Sequence, residues 1–220
     1  MGKKKQVGTA ILIAALGLAG CTIMEPHADP VPESTQVVRV LVNGDSFEQI
    51  ILGELYRQIL DRNGREAHIR VVTEEVDPYA ELLAHNSDVY IGCAGSLLSH
   101  YDAMKARELE EKYGQKQQLS PTEQAEQRED TYYGVVGSLD EGLAASDPSN
   151  AKCASREGIA LPENLVPIYR TPVLARAGRL ALNEVSGSIS SEELAELVEK
   201  ARKGEPAEVV AAEFLDSKSL

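Results

Sequence analysis

Asn43, Gly44, Asp45 and Ser46 form a short polar run between an apolar stretch at 37–42 and a helically spaced apolar set that begins at Phe47. Amide, carboxylate and hydroxyl groups at such a junction can hold a polar ligand, because ligands sit where strands end and the free amides of a helix N-terminus favour anions. The same residues also make a turn and a cap, and Ser46 with Gln49 three residues on fits a capping box. Both readings fit. A second polar group, Cys93-Ala94-Gly95-Ser96, follows the apolar run at 88–92. Tyr90, Tyr132, Tyr133 and Tyr169 could offer ring faces to a cation, although tyrosines at strand or helix spacing also serve as half-buried core.

Other chemistry finds no support in the residues. There is no glycine-rich phosphate loop and no nucleophile elbow. His27, His68, His85 and His100 lack ligand spacing, and no cysteine stands in a C-x-x-C pair, so no metal or other cofactor is expected. Glu108, Glu110, Glu111, Glu192 and Glu193 fall in helical, exposed-looking stretches, which make a solvated surface rather than a general acid and base. The chain is not expected to be an enzyme. Its formal charge of −13, from 22 Lys+Arg against 35 Asp+Glu, excludes nucleic acid as the expected partner, since such binding needs clustered cations.

The elements that must position these groups read as an α/β protein. The β-branched run at 37–42, the stretch at 67–72 and the run at 88–92 alternate with a helix from Phe47 to the stop signal Asn63-Gly64 and a short helix from Asp77-Pro78 through His85. Alternation of this kind implies parallel strands joined by right-handed crossovers, with the loops at 43–46 and 92–96 at their carboxyl ends. From 95 to about 145 the pattern is helical, with a start signal at Ser120-Pro121-Thr122-Glu123 and a charged, solvated face at 107–116. Residues 146–161 read as a loop. A strand at 164–170 carries Pro167, which places it at a sheet edge or end. Thr171-Pro172 then opens a helix to about 185, Ser190 with Glu193 opens another to 203, and Pro206 begins the last, through 215.

Lys3, Lys4 and Lys5 precede an apolar run at 7–17, the length of a signal-peptide core and too short to span a membrane. It ends in Leu18-Ala19-Gly20-Cys21, which resembles the bacterial lipobox. That resemblance implies removal of residues 1–20 and a diacylglycerol, with palmitate-type chains, on Cys21. Two acyl chains hold a protein stably on a membrane. Residues 21–36, with Pro26, Pro30 and Pro32, read as a semi-extended tether. The expected location is extracytoplasmic, anchored to the cell membrane. In that oxidising setting Cys93 and Cys153 are expected to form a disulfide, with two free thiols or metal ligation as the alternatives. Closing a loop of about 60 residues would remove on the order of 4 kcal/mol of unfolded-chain entropy.

Two stretches together resemble the substrate-binding lipoproteins of bacterial ABC importers for osmoprotectants, the glycine betaine, choline and carnitine type. The first runs Gly44-Asp45-Ser46-Phe47-Glu48-Gln49-Ile50-Ile51-Leu52-Gly53-Glu54-Leu55-Tyr56. The second runs Asn164-Leu165-Val166-Pro167-Ile168-Tyr169-Arg170, followed by Leu182-Asn183-Glu184-Val185-Ser186-Gly187 and Glu208-Val209-Val210-Ala211-Ala212-Glu213-Phe214-Leu215. Asp88-Val89-Tyr90 with Gly95 falls where the family has a strand and a ligand loop.

The resemblance implies a periplasmic-binding-protein-like lobe built from both chain ends (37–99 and 161–220) around a mostly parallel sheet. Residues 100–160 would be a reduced helical second lobe. It implies a quaternary-ammonium or other polar solute as ligand and an ABC permease as partner. Asn43, Asp45, Ser46, Cys93 and Ser96 would form one wall of the site, faced by Tyr169. This chain has Cys93 where the family commonly has a tyrosine, Gly44 or Asp45 where it often has a basic residue, and no Trp. Altered or lost ligand binding belongs to the same expectation. The alternative is a single-lobe envelope lipoprotein that acts as a protein-interaction scaffold without transport.

Overall fold

The computed structural model describes residues 37–115, 118–154 and 160–220; Cys21, the signal segment and the tether lie outside the described residues. Strand β1 (Val38–Asn43) is aliphatic and largely buried, as a central parallel strand must be. The chain turns at Gly44, whose N–H donates to the Val72 carbonyl at 2.9 Å, and enters α1 (Phe47–Arg62). Ser46 Oγ accepts from Gln49 N at 3.3 Å and so satisfies one of the free amides of the first turn. The capping box is only half made, because buried Gln49 sends its side-chain amide to the Ile91 carbonyl at 3.1 Å instead. Gly64, at φ 74, supplies the left-handed turn that ends the helix.

Strand β2 (Ala67–Val72), α2 (Pro78–Leu83) and β3 (Val89–Cys93) follow. Asp77 Oδ1 accepts from Tyr79 N at 3.0 Å, which caps α2. That helix ends two residues short of His85, which takes a left-handed conformation at φ 61. Next come α3 (Ala94–Tyr101), α4 (Ala103–Gly114) and α5 (Pro121–Ser138), the last started by a complete Ser120–Glu123 capping box. The chain closes with β4 (Leu143–Ala145), β5 (Leu165–Arg170), α6 (Arg176–Ser188), α7 (Ser191–Arg202) and α8 (Ala207–Lys218).

The five strands form one sheet in the order β2-β1-β3-β5-β4. β2, β1 and β3 are mutually parallel, and β5 runs antiparallel to both β3 and β4, so four strands share a direction. Val38, Val40, Val89, Ile91, Leu165 and Tyr169 face a core shared with α1, α6, α7 and α8. Val166 and Ile168 face the other side, toward α2, α3, α4 and α5. α4 and α5 pack on α3, so these helices cover a face of the same sheet that the chain ends build.

Three expectations are corrected. Leu143–Ala145 is a strand inside a stretch read as helical; its ladder with Ile168, Tyr169 and Arg170 decides this, since two alanines favour a strand only when paired. β5 lies inside the sheet, not at its edge. Pro167 is tolerated because its carbonyl, and hence its hydrogen-less nitrogen, face the side beyond the end of β4, where Ser146 N donates to the Pro167 carbonyl at 2.8 Å. The helix expected at Thr171-Pro172 begins only at Arg176, because Val173 N first closes a turn onto the Arg170 carbonyl at 3.0 Å.

At the amino ends of β3 and β1, Asp88 is fully buried. Its Oδ2 accepts from Arg39 Nε at 2.8 Å and from Arg39 N at 2.9 Å, and its Oδ1 accepts from Arg170 Nη1 at 2.8 Å. Burial raises the Asp88 pKa, but these donors outweigh it and hold the carboxyl below its ordinary value. Three strands are tied at one carboxylate.

Candidate functional site

At the opposite, carboxyl ends of the parallel strands lies a cleft of about 490 Å³. Its floor is made by the last residues of three strands, Asn43 of β1, Val72 of β2 and Cys93 of β3. Sheet geometry puts a crevice at this place in α/β folds. Its walls come from the turn before α2, from α2 and from α3, which bring in Glu74, Asp77, Tyr79, Ser96 and His100, and Tyr90 joins them from β3.

The rings form one cluster. Tyr79 is buried, with His100 stacked on it at 4.6 Å between centroids and Tyr101 tilted against it at 4.3 Å. Tyr90 meets the Tyr79 ring edge-on at 5.9 Å. Burial raises the Tyr101 pKa, and the nearby Asp140 and Asp77 carboxylates raise it further, so this phenol stays neutral. Tyr90 and His100 are the rings with surface left to meet a solute, since both line the cleft and neither is buried. Glu74 and Asp77 are exposed at its mouth, and no lysine or arginine is among the lining residues. Such a cleft favours a cation over an anion.

Of the residues expected to form the site, Asn43, Cys93 and Ser96 line this cleft. Asn43 Oδ1 accepts from Asp45 N at 2.8 Å, which fixes the turn. Cys93 is bonded to Cys153 in a disulfide that ties the end of β3, where α3 starts, to a segment 60 positions further on. Asp45 and Ser46 instead line a neighbouring hollow of about 310 Å³ with Phe47, Glu48 and Arg202. Tyr169 does not line the cleft; it packs in the core shared with α1, α6, α7 and α8 and lines a separate hollow of about 200 Å³ beside Arg179 and Asn183. Burial raises its pKa. Tyr132 and Tyr133 line a third depression of about 360 Å³ on α5, with Arg128 and Asp147.

Sequence reasoning missed Glu74, Tyr79, His100 and Glu163, and it read Asp77 only as a cap. Glu163 is buried, and its carboxylate accepts from Ser96 N at 2.9 Å and from the Ser96 hydroxyl. Among the described residues no group of three or more His, Cys, Asp or Glu is arranged to hold a metal ion, and no helix is long and apolar enough to cross a membrane.

Known structures match this architecture. Apo YehZ from Escherichia coli superposes with a TM-score of 0.60 at 13% identity, over 82% of this chain and 98% of that one. A glycine betaine/carnitine/choline ABC transporter structure superposes at 0.59 with 11% identity and the same coverage. The fold is periplasmic-binding-protein-like. No family model matches the chain, and no curated protein matches it. At these identities the likeness concerns the backbone architecture, and the cleft residues must be judged on their own chemistry.

Proposed function

We propose that this chain is the extracytoplasmic solute-binding lipoprotein of an ABC importer of the quaternary-ammonium osmoprotectant type, with the cleft at the carboxyl ends of β1, β2 and β3 as its ligand seat. The observation that carries the reading is the cleft's lining, with ring surface from Tyr90 and His100, carboxylates from Glu74 and Asp77, and no basic side chain but His100. A methylated cation donates no conventional hydrogen bond and is held by ring quadrupoles, dispersion and surrounding negative charge. The fold likeness to a glycine betaine/carnitine/choline ABC transporter structure supports the same assignment.

In this reading an ABC permease receives the solute, and a lipid on Cys21 keeps the protein at the membrane. Isothermal calorimetry of the mature chain with choline, glycine betaine, carnitine and proline betaine tests the binding role; a saturable heat is expected for at least one, and none for any of them overturns it. Cys21→Ser should move the protein from the membrane fraction to the soluble one, and unchanged fractionation would refute the anchor.

The scaffold reading is favoured by a different observation. Met104 on α4 and Tyr133 and Val136 on α5 are exposed apolar side chains on the helices that follow α3. A partner protein recovered with the unliganded chain, and lost with Met104→Ser and Tyr133→Ser, would decide for it.

A further inference from the structure

Val166 and Ile168 of β5 point into the core beneath α3, α4 and α5, and side chains two apart on an extended chain share a face. Asn164 stands one step before β5, where an antiparallel bridge to Lys152 continues the extended run, so its side chain aims at the same layer. It meets a hollow there. Asn164 lines the depression of about 360 Å³ between α5 and the 147–150 segment, and is itself only 6% exposed. Its Nδ2 donates to the Ser149 carbonyl at 2.9 Å; a carbonyl can only accept, which fixes the amide oxygen as the end left over. That Oδ1 is buried and has no hydrogen-bond partner among the described residues. A buried acceptor without a donor is costly, and a bound donor removes the cost.

The rest of the hollow supplies charge of both signs and ring surface. Arg128 and Tyr132 lie four residues apart on α5 and so share a face of the helix. Among the described residues Arg128 makes no ion pair, so its guanidinium is open to an anion. The Tyr132 and Tyr133 rings stand 5.7 Å apart at a tilt of 48°, and Tyr133 is 60% exposed. Asp147 comes from the segment facing α5, where Asn183 Nδ2 donates to its Oδ2 at 2.6 Å and holds it in place. Burial raises the Tyr132 pKa and the Asp147 carboxylate raises it further, so the phenol stays a neutral ring beside a fixed charge.

We propose that this hollow is a second ligand site, separate from the cleft, and that it takes a free aromatic α-amino acid. The ammonium donates to Asn164 Oδ1 with Asp147 as counter-charge, the carboxylate meets Arg128, and the side chain lies against Tyr132 and Tyr133. The two hollows have no lining residue in common. A quaternary ammonium has no N–H to give Asn164, so each hollow serves a different class of cation.

Calorimetry of the wild-type mature chain should give saturable heat with L-phenylalanine. Phenethylamine lacks the carboxylate and hydrocinnamate lacks the ammonium, and each should bind at least roughly tenfold more weakly. Arg128→Gln, at an exposed side chain, should weaken L-phenylalanine roughly tenfold and leave phenethylamine unchanged. Asn164→Ala should weaken L-phenylalanine and phenethylamine together; should it not fold, the Arg128 variant and the two analogues decide. Saturating choline should leave the affinity for L-phenylalanine as it was. No heat with L-phenylalanine, an analogue bound as tightly, an Arg128→Gln protein that binds as wild type, or competition by choline each overturns this site and leaves the cleft reading standing. Loss of choline binding alone overturns the cleft reading and leaves this site standing.

Discussion

Arg170 Nη1 donates to Asp88 Oδ1 at 2.8 Å, joining the last residue of β5 to the residue just before β3 across 82 positions of chain. Arg170 N also donates to the Asp88 carbonyl at 3.0 Å, so side chain and backbone hold the same junction. The two chain ends meet in one sheet through this contact.

Removing the charge of Asp88 leaves two guanidinium groups without their counter-charge, one of them buried. Asp88→Asn should therefore lower unfolding free energy by about 3–5 kcal/mol, read from urea melts at neutral pH. The wild type should also show an acid limb. Asp88 has a folded-state pKa below the ordinary 3.8, so its stabilisation is complete above that value and is lost as pH falls through the lower folded-state value. Asp88→Asn should remove this part of the acid sensitivity, and an identical acid limb in both proteins would refute the assignment.

Cys93 and Cys153 close a loop with a sequence separation of 60. Reduction, or the double change to serine, should cost on the order of 4 kcal/mol, seen as a lower denaturation midpoint. Mass spectrometry without reductant should find the two cysteine peptides joined. Two alkylatable thiols in freshly purified protein would contradict the bridge.

Gly53 lies where α1 crosses the sheet, and a Cβ there would overlap the side chain of Val42, with Ile69 Cδ1 at 3.1 Å. Alanine ordinarily gains up to about 1 kcal/mol over glycine inside a helix. Here the overlap wins, since Val42 is buried and has nowhere to move. Gly53→Ala should lower stability by about 1–3 kcal/mol. Gly137→Ala on α5, where nothing lies within 4 Å of the added carbon, should raise it by up to about 1 kcal/mol. Thermal melts of the pair give opposite signs.

Glu74 and Asp77 contribute to the cleft as charges. Glu74→Gln and Asp77→Ser should each weaken choline binding roughly fivefold at low ionic strength, with the effect fading as salt rises. Serine retains a capping oxygen for Tyr79 N, so melting temperature should hold in both variants. Equal loss of affinity at low and high salt would point away from electrostatics.

Much of the frame is legible in local residues. Ser46 and Gly64 bound α1, and the Ser190–Glu193 capping box starts α7 as expected, because each signal acts within four residues of itself. β4 escapes because three residues of mixed propensity become a strand only through their partner β5. Pro167 misleads for a related reason: the sequence shows the missing donor, while only the pairing shows which side it faces. The cleft is harder still. Tyr79, Tyr90 and His100 come from three different elements, and Glu163 reaches Ser96 from 67 positions away, so no window of sequence contains the site.

The interior position of β5 also sets an order of events during synthesis. β3 cannot gain its antiparallel neighbour, and β4 has nothing to pair with, until residue 170 of 220 has left the ribosome. Until then the sheet has at most three strands, with open edges and a helical layer still missing. Such distant pairings are slow to close, so the growing polypeptide stays loose until β5 supplies the missing neighbour on both sides.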